Sequence, residues 1–341
     1  MKILNIRDIA RMSNVSVSTV SRVINHHSDV HPETRARIQG IIEEQGYIPN
    51  ANARHLKLIK EKQVGILVKG IFNPFFSGIV EIMEKELTRR GYTTILHYSA
   101  ETRRDIDILL EKTLEQNLGG LVYLGGDFDA ASLEALEALD IPVVLTSSDF
   151  PWEATSDAFS SVTIDNVKVA FTAVTTLCER GLTRIAMLAP GPGGGKTGER
   201  RLQGYREALA DFHLPFNPSF VHYGDYTMAS GYGAMKDMLE THPEVQGVFA
   251  ASDQIALGAA KYILTTGRTI PGDLSIIGID GIEYTRYFHP SLSTMVQPMA
   301  EFARQTLLLL ISQIEGRDPG RRHLRLEATL FQGESIIGGT P

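Results

Sequence analysis

Six small or polar residues near the start of the chain could contact a DNA duplex. They belong to a helix that Ser16 can cap: Val17, Ser18, Ser21, Arg22 and Asn25 occupy its outward side, and Thr19 lies among them in the sequence. Small side chains let a helix approach base edges closely, and the guanidinium of Arg22 matches O6 and N7 of guanine. The hydroxyl groups of Thr19 and Ser21 can donate hydrogen bonds to phosphates. The pattern favours DNA contact over its alternative, a solvated face on an ordinary small helical bundle.

A second set of residues could bind a small molecule. Phe75 and Phe76 follow Asn73 and Pro74 at the predicted start of a helix, where their rings could stack on a sugar or a base. Taken alone, such residues more often pack in a core. Asp253 and Asp280 stand at the ends of predicted strands, and helix capping is the alternative role for these carboxylates.

A glycine-rich run, PGPGGGKT at 190–197, suggests a phosphate-binding loop but has the wrong spacing for nucleotide hydrolysis. The nucleotide motif places a glycine five residues before its Gly-Lys pair, and Pro190 occupies that position here. Exposed amides together with Lys196, Arg200 and Arg201 could still bind an anionic ligand such as a sugar phosphate.

The helix that carries Arg22 belongs to a predicted group of three. The first runs from about Ile6 to Met12 with Asn5 as its cap, and the third begins at Pro32 and can end at Gly46. Only three or four residues link the first two helices, which is the layout of a helix-turn-helix with Val15 at the corner. Asn50 can cap a further short helix over about 51–58, for which a plain linker is the alternative.

From Val64 onward, β-rich runs alternate with helical patterns, which predicts parallel sheets with helices on both faces. Nine candidate strands over this length favour two doubly wound subdomains, with a ligand site in the cleft between them. The candidate strands cover 64–68, 93–98, 121–124, 143–145, 162–164, 185–189, 220–222, 248–251 and 276–279.

Composition indicates a globular protein of two or three domains: 341 residues, 43% hydrophobic and 21% charged. The densest apolar run, Leu307 to Ile311, is far shorter than a membrane span, and the N-terminus lacks an export signal, so a cytoplasmic location without membrane attachment is expected. Cys178 is the only cysteine, which excludes an intrachain disulfide and a cysteine-based metal site. Residues 1–62 hold ten Lys/Arg against six Asp/Glu, whereas the remainder holds 23 against 34, as expected for a nucleic-acid reader joined to an acidic body.

Two segments resemble the LacI/GalR family of bacterial transcription regulators: NIRDIARMSNVSVSTVSRVIN at 5–25, and GYIPN at 46–50 followed by ANARHLK at 51–57. The resemblance implies an all-α head with a helix-turn-helix and an α/β body of two doubly wound parallel-sheet subdomains, similar to type I periplasmic binding proteins. It also implies that the hinge helix places Leu56, beside Ala53, in the DNA minor groove, where such a wedge bends the duplex. The implied domains are a head at 1–49, a hinge at 50–62 and a body at 63–341, with subdomain 1 at about 63–162 and 296–325 and subdomain 2 at about 163–292 and 326–341.

The same resemblance assigns effector-binding roles within the body. Arg201 matches the family's ligand-binding arginine by its spacing to Gly204, Tyr226 matches an aromatic that covers the ligand, and Asp280 matches an acceptor for sugar hydroxyls. Two positions depart from the sugar-binding pattern, because Ser147 stands where an aspartate is common and Ser252 precedes Asp253 where an asparagine is common. The expected effector site therefore consists of Phe75, Phe76, Ser147, Arg201, Tyr226, Ser252, Asp253 and Asp280.

The resulting expectation is a transcription regulator without cofactor, metal or enzymatic activity. It is expected to repress carbohydrate-metabolism genes by binding a palindromic operator in double-stranded DNA as a homodimer, under the control of a sugar or sugar phosphate. The chain shows no counterpart of the family's leucine-heptad tetramerisation tail, which favours the dimer. An enzyme using the glycine-rich loop lacks the motif spacing and a nucleophile–base pair, and a transport receptor would need an export signal and no basic head.

Overall fold

The computed structural model describes residues 6–24, 29–45, 62–70, 73–99, 105–116, 118–151, 158–191, 195–317 and 320–338. The chain divides into two compact units, Met1–Glu61 and Lys62–Pro341. In the described part of the chain, no helix has both the length and the apolar character that crossing a bilayer requires.

The first unit is the predicted helix-turn-helix. Its helices are α1 (Ile6–Met12), α2 (Val17–Ile24) and α3 (Pro32–Glu44). Ile9, Val20, Val23 and Ile38 are at most 1% exposed and form its core. Val15 packs against this core at the corner as predicted, and the Ser16 hydroxyl accepts the Thr19 N–H at 3.2 Å, which caps α2. The expected roles of Asn5 and Gly46 and the hinge helix at 51–58 lie outside the described residues.

Two six-stranded sheets form the second unit, as the alternation of strands and helices predicts. The first sheet has the order β11-β5-β4-β3-β1-β2 and is parallel throughout. Its strands are β1 (Gln63–Lys69), β2 (Thr93–Ser99), β3 (Gly120–Leu124), β4 (Val143–Thr146), β5 (Ser160–Ile164) and β11 (His323–Leu326).

The second sheet has the order β12-β10-β9-β8-β6-β7 and is parallel except where β12 pairs antiparallel with β10. Its strands are β6 (Ile185–Pro190), β7 (Val221–Gly224), β8 (Gly247–Ala250), β9 (Ser275–Asp280), β10 (Ser293–Val296) and β12 (Thr329–Phe331). Each of the nine predicted strands overlaps one of β1 to β9. The short strands β10, β11 and β12 were not among them.

Helices pack on both sheets. Those associated with the first sheet are α4 (Pro74–Arg89), α5 (Asp105–Gln116), α6 (Ala130–Leu136) and, returning from the second sheet, α12 (Met299–Ile314). Those associated with the second are α7 (Asn166–Cys178), α8 (Gly195–Asp211), α9 (Met228–Thr241), α10 (Asp253–Thr265) and α11 (Tyr284–Tyr287). We call each sheet with its helices a lobe.

The chain passes between the lobes near Asp165, near Gln297 and between β11 and β12. The central strands are buried on both faces; Val64 to Val68 of β1 are all buried, as is usual for parallel sheets between helices. Because both sheets are parallel, the carboxyl ends of their strands form two edges that carry loops, and such edges are where α/β proteins bind ligands.

Candidate functional site

The outward side of α2 carries the residues expected to meet DNA. Val17, Ser18 and Arg22 are exposed, whereas Thr19 and Ser21 are partly covered. The hydroxyl of Thr19 lies 2.8 Å from that of Ser16, so it takes part in the start of the helix as well. Asn25, Ala53 and Leu56 lie outside the described residues.

Arg22 is engaged in an ion pair within the head. Its Nη1 lies 2.9 Å from Oδ2 of Asp29, and both side chains are more than half exposed. An exposed pair of this kind contributes little stability, on the order of 0–1 kcal/mol. The guanidinium can therefore exchange Asp29 for another partner at small cost.

A cavity of about 490 Å³ lies among the carboxyl ends of strands from both lobes. The first lobe supplies Lys69 at the end of β1, Gly125 and Asp127 after β3, and Ser147 after β4. The second lobe supplies residues that end or follow β6, β7, β8 and β9: Pro190, Gly224, Tyr226, Ser252 and Asp280.

Six of the eight expected effector-site residues line this cavity: Phe76, Ser147, Arg201, Tyr226, Ser252 and Asp280. They come from six separate segments of the chain, and the folding of both lobes brings them together. Phe76 presents an aromatic ring, Arg201 a cation and Asp280 a carboxylate. These groups can stack on one face of a ligand and form hydrogen bonds with its rim.

Phe75 and Asp253 do not line the cavity, which corrects two of the expected assignments. Phe75 is fully buried and packs edge-on against Phe302, with ring centroids 5.8 Å apart. Asp253 is fully buried as well and accepts the N–H groups of Gly281 and Ile282 at 2.7 and 2.9 Å. Asp253 therefore holds the turn that follows β9, and the cap of its own helix is Ser252.

Asp280 is held in an unusual backbone conformation at the end of β9. Its φ of +133° is a region that side chains rarely adopt, and it costs on the order of 1–3 kcal/mol. Asn73 Nδ2 donates to its Oδ2 at 3.1 Å, and Gln297 Nε2 donates to its Oδ1 at 2.8 Å. Burial raises the pKa of this carboxyl, while Arg201 and the two amides oppose the rise. The carboxylate is therefore fixed in place before any ligand arrives.

Arg201 is also anchored, although its side chain faces the cavity. It is 5% exposed; its Nε donates to Oδ1 of Asn166 at 3.0 Å and its Nη1 donates to the carbonyl of Ala251. Tyr226, which lines the cavity together with Phe76, is partly covered. Burial raises the pKa of its phenol to about 12. Tyr226 is therefore neutral at ordinary pH and can both donate and accept hydrogen bonds.

Sequence reasoning missed several polar residues of the cavity, chiefly Lys69, Asn73, Asp127 and Gln297. Burial raises the pKa of Asp127 to about 6, although Lys69 and the backbone N–H of Lys196 oppose the rise. That N–H donates to Asp127 Oδ1 at 2.9 Å. The position of Asp127 just after β3 was the available signal, because it obeys the same strand-end rule as Ser147 and Asp280.

The cations expected to bind an anionic ligand are largely engaged elsewhere. Arg200 and Lys196 are not among the lining residues, and Arg200 Nε lies 2.7 Å from Asp149 Oδ1. Lys69 lines the cavity but lies 3.2 Å from Asp105 Oδ2. The part of the glycine-rich run at 192–194 lies outside the described residues. Among the residues described, no cluster of three or more His, Cys, Asp or Glu side chains could hold a metal ion.

Two family models match this chain. Residues 5–50 match the model described as bacterial regulatory proteins, lacI family, and residues 174–336 match a periplasmic binding protein-like domain. The chain is 37% identical to the HTH-type transcriptional regulator MalR of Clostridium butyricum, over 98% of this chain and 99% of that protein. It is 33% identical to the HTH-type transcriptional repressor CytR of Escherichia coli strain K12, over 98% of this chain and 95% of that protein.

A solved structure shows the same architecture. The complex of the transcriptional regulator CelR with cellobiose superposes with a TM-score of 0.71 at 31% identity, covering 97% of this chain and 99% of that one. These relatives are regulators of transcription rather than enzymes.

Proposed function

Because the chain belongs to the LacI family of bacterial transcription regulators, we propose that it represses carbohydrate-metabolism genes and that a sugar in its cavity sets its affinity for an operator. In this proposal the exposed side of α2 reads base edges in the major groove, with Arg22 directed at guanine. Asn25 extends that surface, and Ala53 and Leu56 enter the minor groove. The protein acts in the cytoplasm, where its DNA is.

The observation that carries the sugar assignment is the lining of the cavity. A sugar ring offers an apolar C–H face and a rim of hydroxyl groups, so it needs one aromatic surface and many fixed donors and acceptors. Phe76 supplies the surface, while Asp280, Arg201, Asn73 and Gln297 supply hydrogen-bonding groups that are already held in place. CelR, a relative of similar structure, has been solved with the neutral disaccharide cellobiose.

The charges of the cavity favour a neutral sugar over a sugar phosphate. Its cations are Lys69, which is paired with Asp105, and Arg201. Its acidic residues are Asp127, Asp225 and Asp280. A phosphate adds nearly two negative charges at neutral pH and would meet this acidic surface with little free cation to offset it.

Exposed apolar side chains support a homodimer. Ile82 on α4, Leu96 and Tyr98 on the edge strand β2, and Tyr284 and Tyr287 on α11 are between 36% and 81% exposed. A second copy of the chain would cover such residues, and two heads related by a two-fold axis call for a palindromic operator. Sugar binding would then shift the population of body conformations that hold the two heads at the operator spacing.

A thermal-shift screen with the full-length protein tests the sugar assignment. We expect neutral mono- and disaccharides, cellobiose and maltose among them, to include ligands that raise the melting temperature, because a ligand specific for the folded state stabilises it. The phosphorylated forms of the same sugars should give smaller shifts. A stabilising sugar should then change the affinity for an operator duplex in a salt-dependent binding assay. Larger shifts with the phosphates would contradict the neutral-sugar assignment, and no preference for any duplex over random DNA would contradict the regulator.

A further inference from the structure

Arg200 does not line the cavity, although its neighbour Arg201 does. It precedes Arg201 on α8, and one residue turns a helix by about 100°, so the two guanidinium groups leave the helix in different directions. The Nε of Arg200 lies 2.7 Å from Oδ1 of Asp149, and its Nη2 donates to the carbonyl of Phe150 at 3.1 Å. The guanidinium of Arg200 thus contacts two acceptors on adjacent residues, Asp149 and Phe150.

These two contacts join the lobes. Helix α8 follows β6 of the second sheet, whereas Asp149 and Phe150 follow β4 of the first sheet. The same helix makes a second crossing one turn earlier, where the Lys196 N–H donates to Asp127. The first two turns of α8 therefore contact the strand ends of the opposite lobe, and within them Arg200 itself lies outside the wall of the cavity.

The contact between Arg200 and Asp149 is partly shielded from solvent. The side chain of Asp149 is 4% exposed and that of Arg200 is 31% exposed. If the lobes parted, Asp149 would lose its cation. A closed body without Arg200 would keep a buried carboxylate whose donors, within the described part of the chain, are the Asn166 amide and the Phe150 N–H. Arg200 thus favours the closed arrangement over the open one.

One amide connects this contact to the cavity. Asn166 Nδ2 donates to Oδ2 of Asp149 at 3.3 Å, and its Oδ1 accepts the Nε of Arg201 at 3.0 Å. Arg201 is therefore two hydrogen bonds away from the carboxylate that Arg200 pairs with, and a group bound to Arg201 in the cavity is three away.

We propose that Arg200 and Asp149 form an interlobe latch that holds the ligand-binding body closed without contacting the ligand. The latch rests on the proposed function in that the closed body is the sugar-binding state. A ligand gripped by both lobes binds only the closed population, so the latch scales the affinity for every sugar by the same factor. Arg200 is therefore a positioning residue, and Arg201 beside it is a contact residue.

The test compares Arg200→Ala with Arg206→Ala in the full-length protein. Arg206 lies on the same helix with its guanidinium 4.4 Å over the ring of Phe216, so its removal deletes one arginine from α8 without touching the other lobe. Small-angle X-ray scattering of the ligand-free proteins reports closure whether or not a sugar binds. Arg200→Ala should increase the radius of gyration, and Arg206→Ala should leave it unchanged.

Calorimetry with two sugars supplies the second measurement, using cellobiose and maltose or the two strongest sugars of the thermal-shift screen. Arg200→Ala should weaken both affinities on the order of tenfold, as expected for a lost charged hydrogen bond, and should keep their ratio. Arg201→Ala should change the ratio. Arg200→Lys should recover part of the affinity, because an ammonium can still reach Asp149, and Asp149→Asn should lose part of it while keeping an acceptor for Arg200.

An unchanged radius of gyration for Arg200→Ala would overturn the latch, as would an altered sugar ratio like that of Arg201→Ala. If no sugar binds the parent protein but Arg200→Ala still expands it, the sugar assignment fails and the latch stands.

Discussion

Replacing Asp127 by asparagine should stabilise the protein at pH 8 while weakening sugar binding. Asp127 lines the cavity, and burial raises the pKa of its carboxyl to about 6 from an ordinary value of 3.8, with Asp105 and Asp149 adding repulsion. The charged form is therefore disfavoured in the folded state. Asparagine removes the charge, and its side-chain oxygen can still accept the Lys196 N–H that Asp127 accepts at 2.9 Å.

The raised pKa of Asp127 determines whether stability rises or falls with pH. The stabilising contribution of Asp127 is complete below the unfolded pKa of 3.8 and is lost as the pH rises through about 6. One pKa unit corresponds to about 1.4 kcal/mol, so the charged carboxylate lowers the free energy of unfolding by up to about 3 kcal/mol at pH 8. Roughly half of that loss, about 1.4 kcal/mol, falls between pH 5 and pH 8.

Urea unfolding of the parent protein and Asp127→Asn at pH 5 and pH 8 measures this contribution. All other titrating groups are common to both proteins, so their effects cancel in the difference. The stability advantage of Asp127→Asn should grow by about 1.4 kcal/mol from pH 5 to pH 8. Asp129→Asn is the matched control, because Asp129 is exposed and asparagine caps α6 as well as aspartate does.

An advantage of equal size at both pH values would refute the argument, because it would show that the carboxyl of Asp127 does not titrate differently in the folded state. Calorimetry completes the prediction: if Asp127 is present to accept sugar hydroxyl groups, the more stable variant should bind the sugar more weakly. Unchanged sugar affinity would mean that the buried charge has no part in binding.

Three further outcomes are expected. Arg22→Ala should weaken binding to the operator by about 1–3 kcal/mol without unfolding the head, because the exposed side chain leaves no cavity; equal affinity in a gel-shift titration would remove Arg22 from the interface. Asp29→Asn should strengthen operator binding by no more than a few fold, since it frees Arg22 from a weak exposed pair. Leu56→Ala should reduce DNA bending, and a circular-permutation gel that shows the parent bend would argue against a minor-groove wedge.

Local patterns in the sequence predict most of the architecture. The helical repeat, the caps and the short link of the first unit predict its helix-turn-helix, and the alternation of β-rich runs with helices predicts β1 to β9. Both signals depend on periodicity within about ten neighbouring residues, which a linear sequence records directly. The strands β10 (STMV) and β11 (HLRL) contain two polar residues among four, so they lack the apolar run that marks equally short strands such as β4 (VVLT) and β8 (GVFA). They pair where a neighbouring strand offers free backbone groups.

The sequence by itself therefore determined most of the helices and strands. Because parallel sheets bind ligands at the carboxyl ends of their strands, it also determined where along the chain a ligand site forms. Only the tertiary structure decided which of two adjacent residues faces the cavity: Phe76 rather than Phe75, and Ser252 rather than Asp253. For Arg201 and Arg200, the structure agrees with the choice of Arg201 that the family resemblance implied, and it gives Arg200 a separate partner. Asn73 and Gln297 likewise became visible as supports of Asp280 only in the folded chain, because they lie 207 and 17 positions from it in the sequence. The physical reason is that one step along a helix turns a side chain by about 100°, so the rotation of the helix on its sheet, which long-range packing sets, selects the neighbour that meets the ligand.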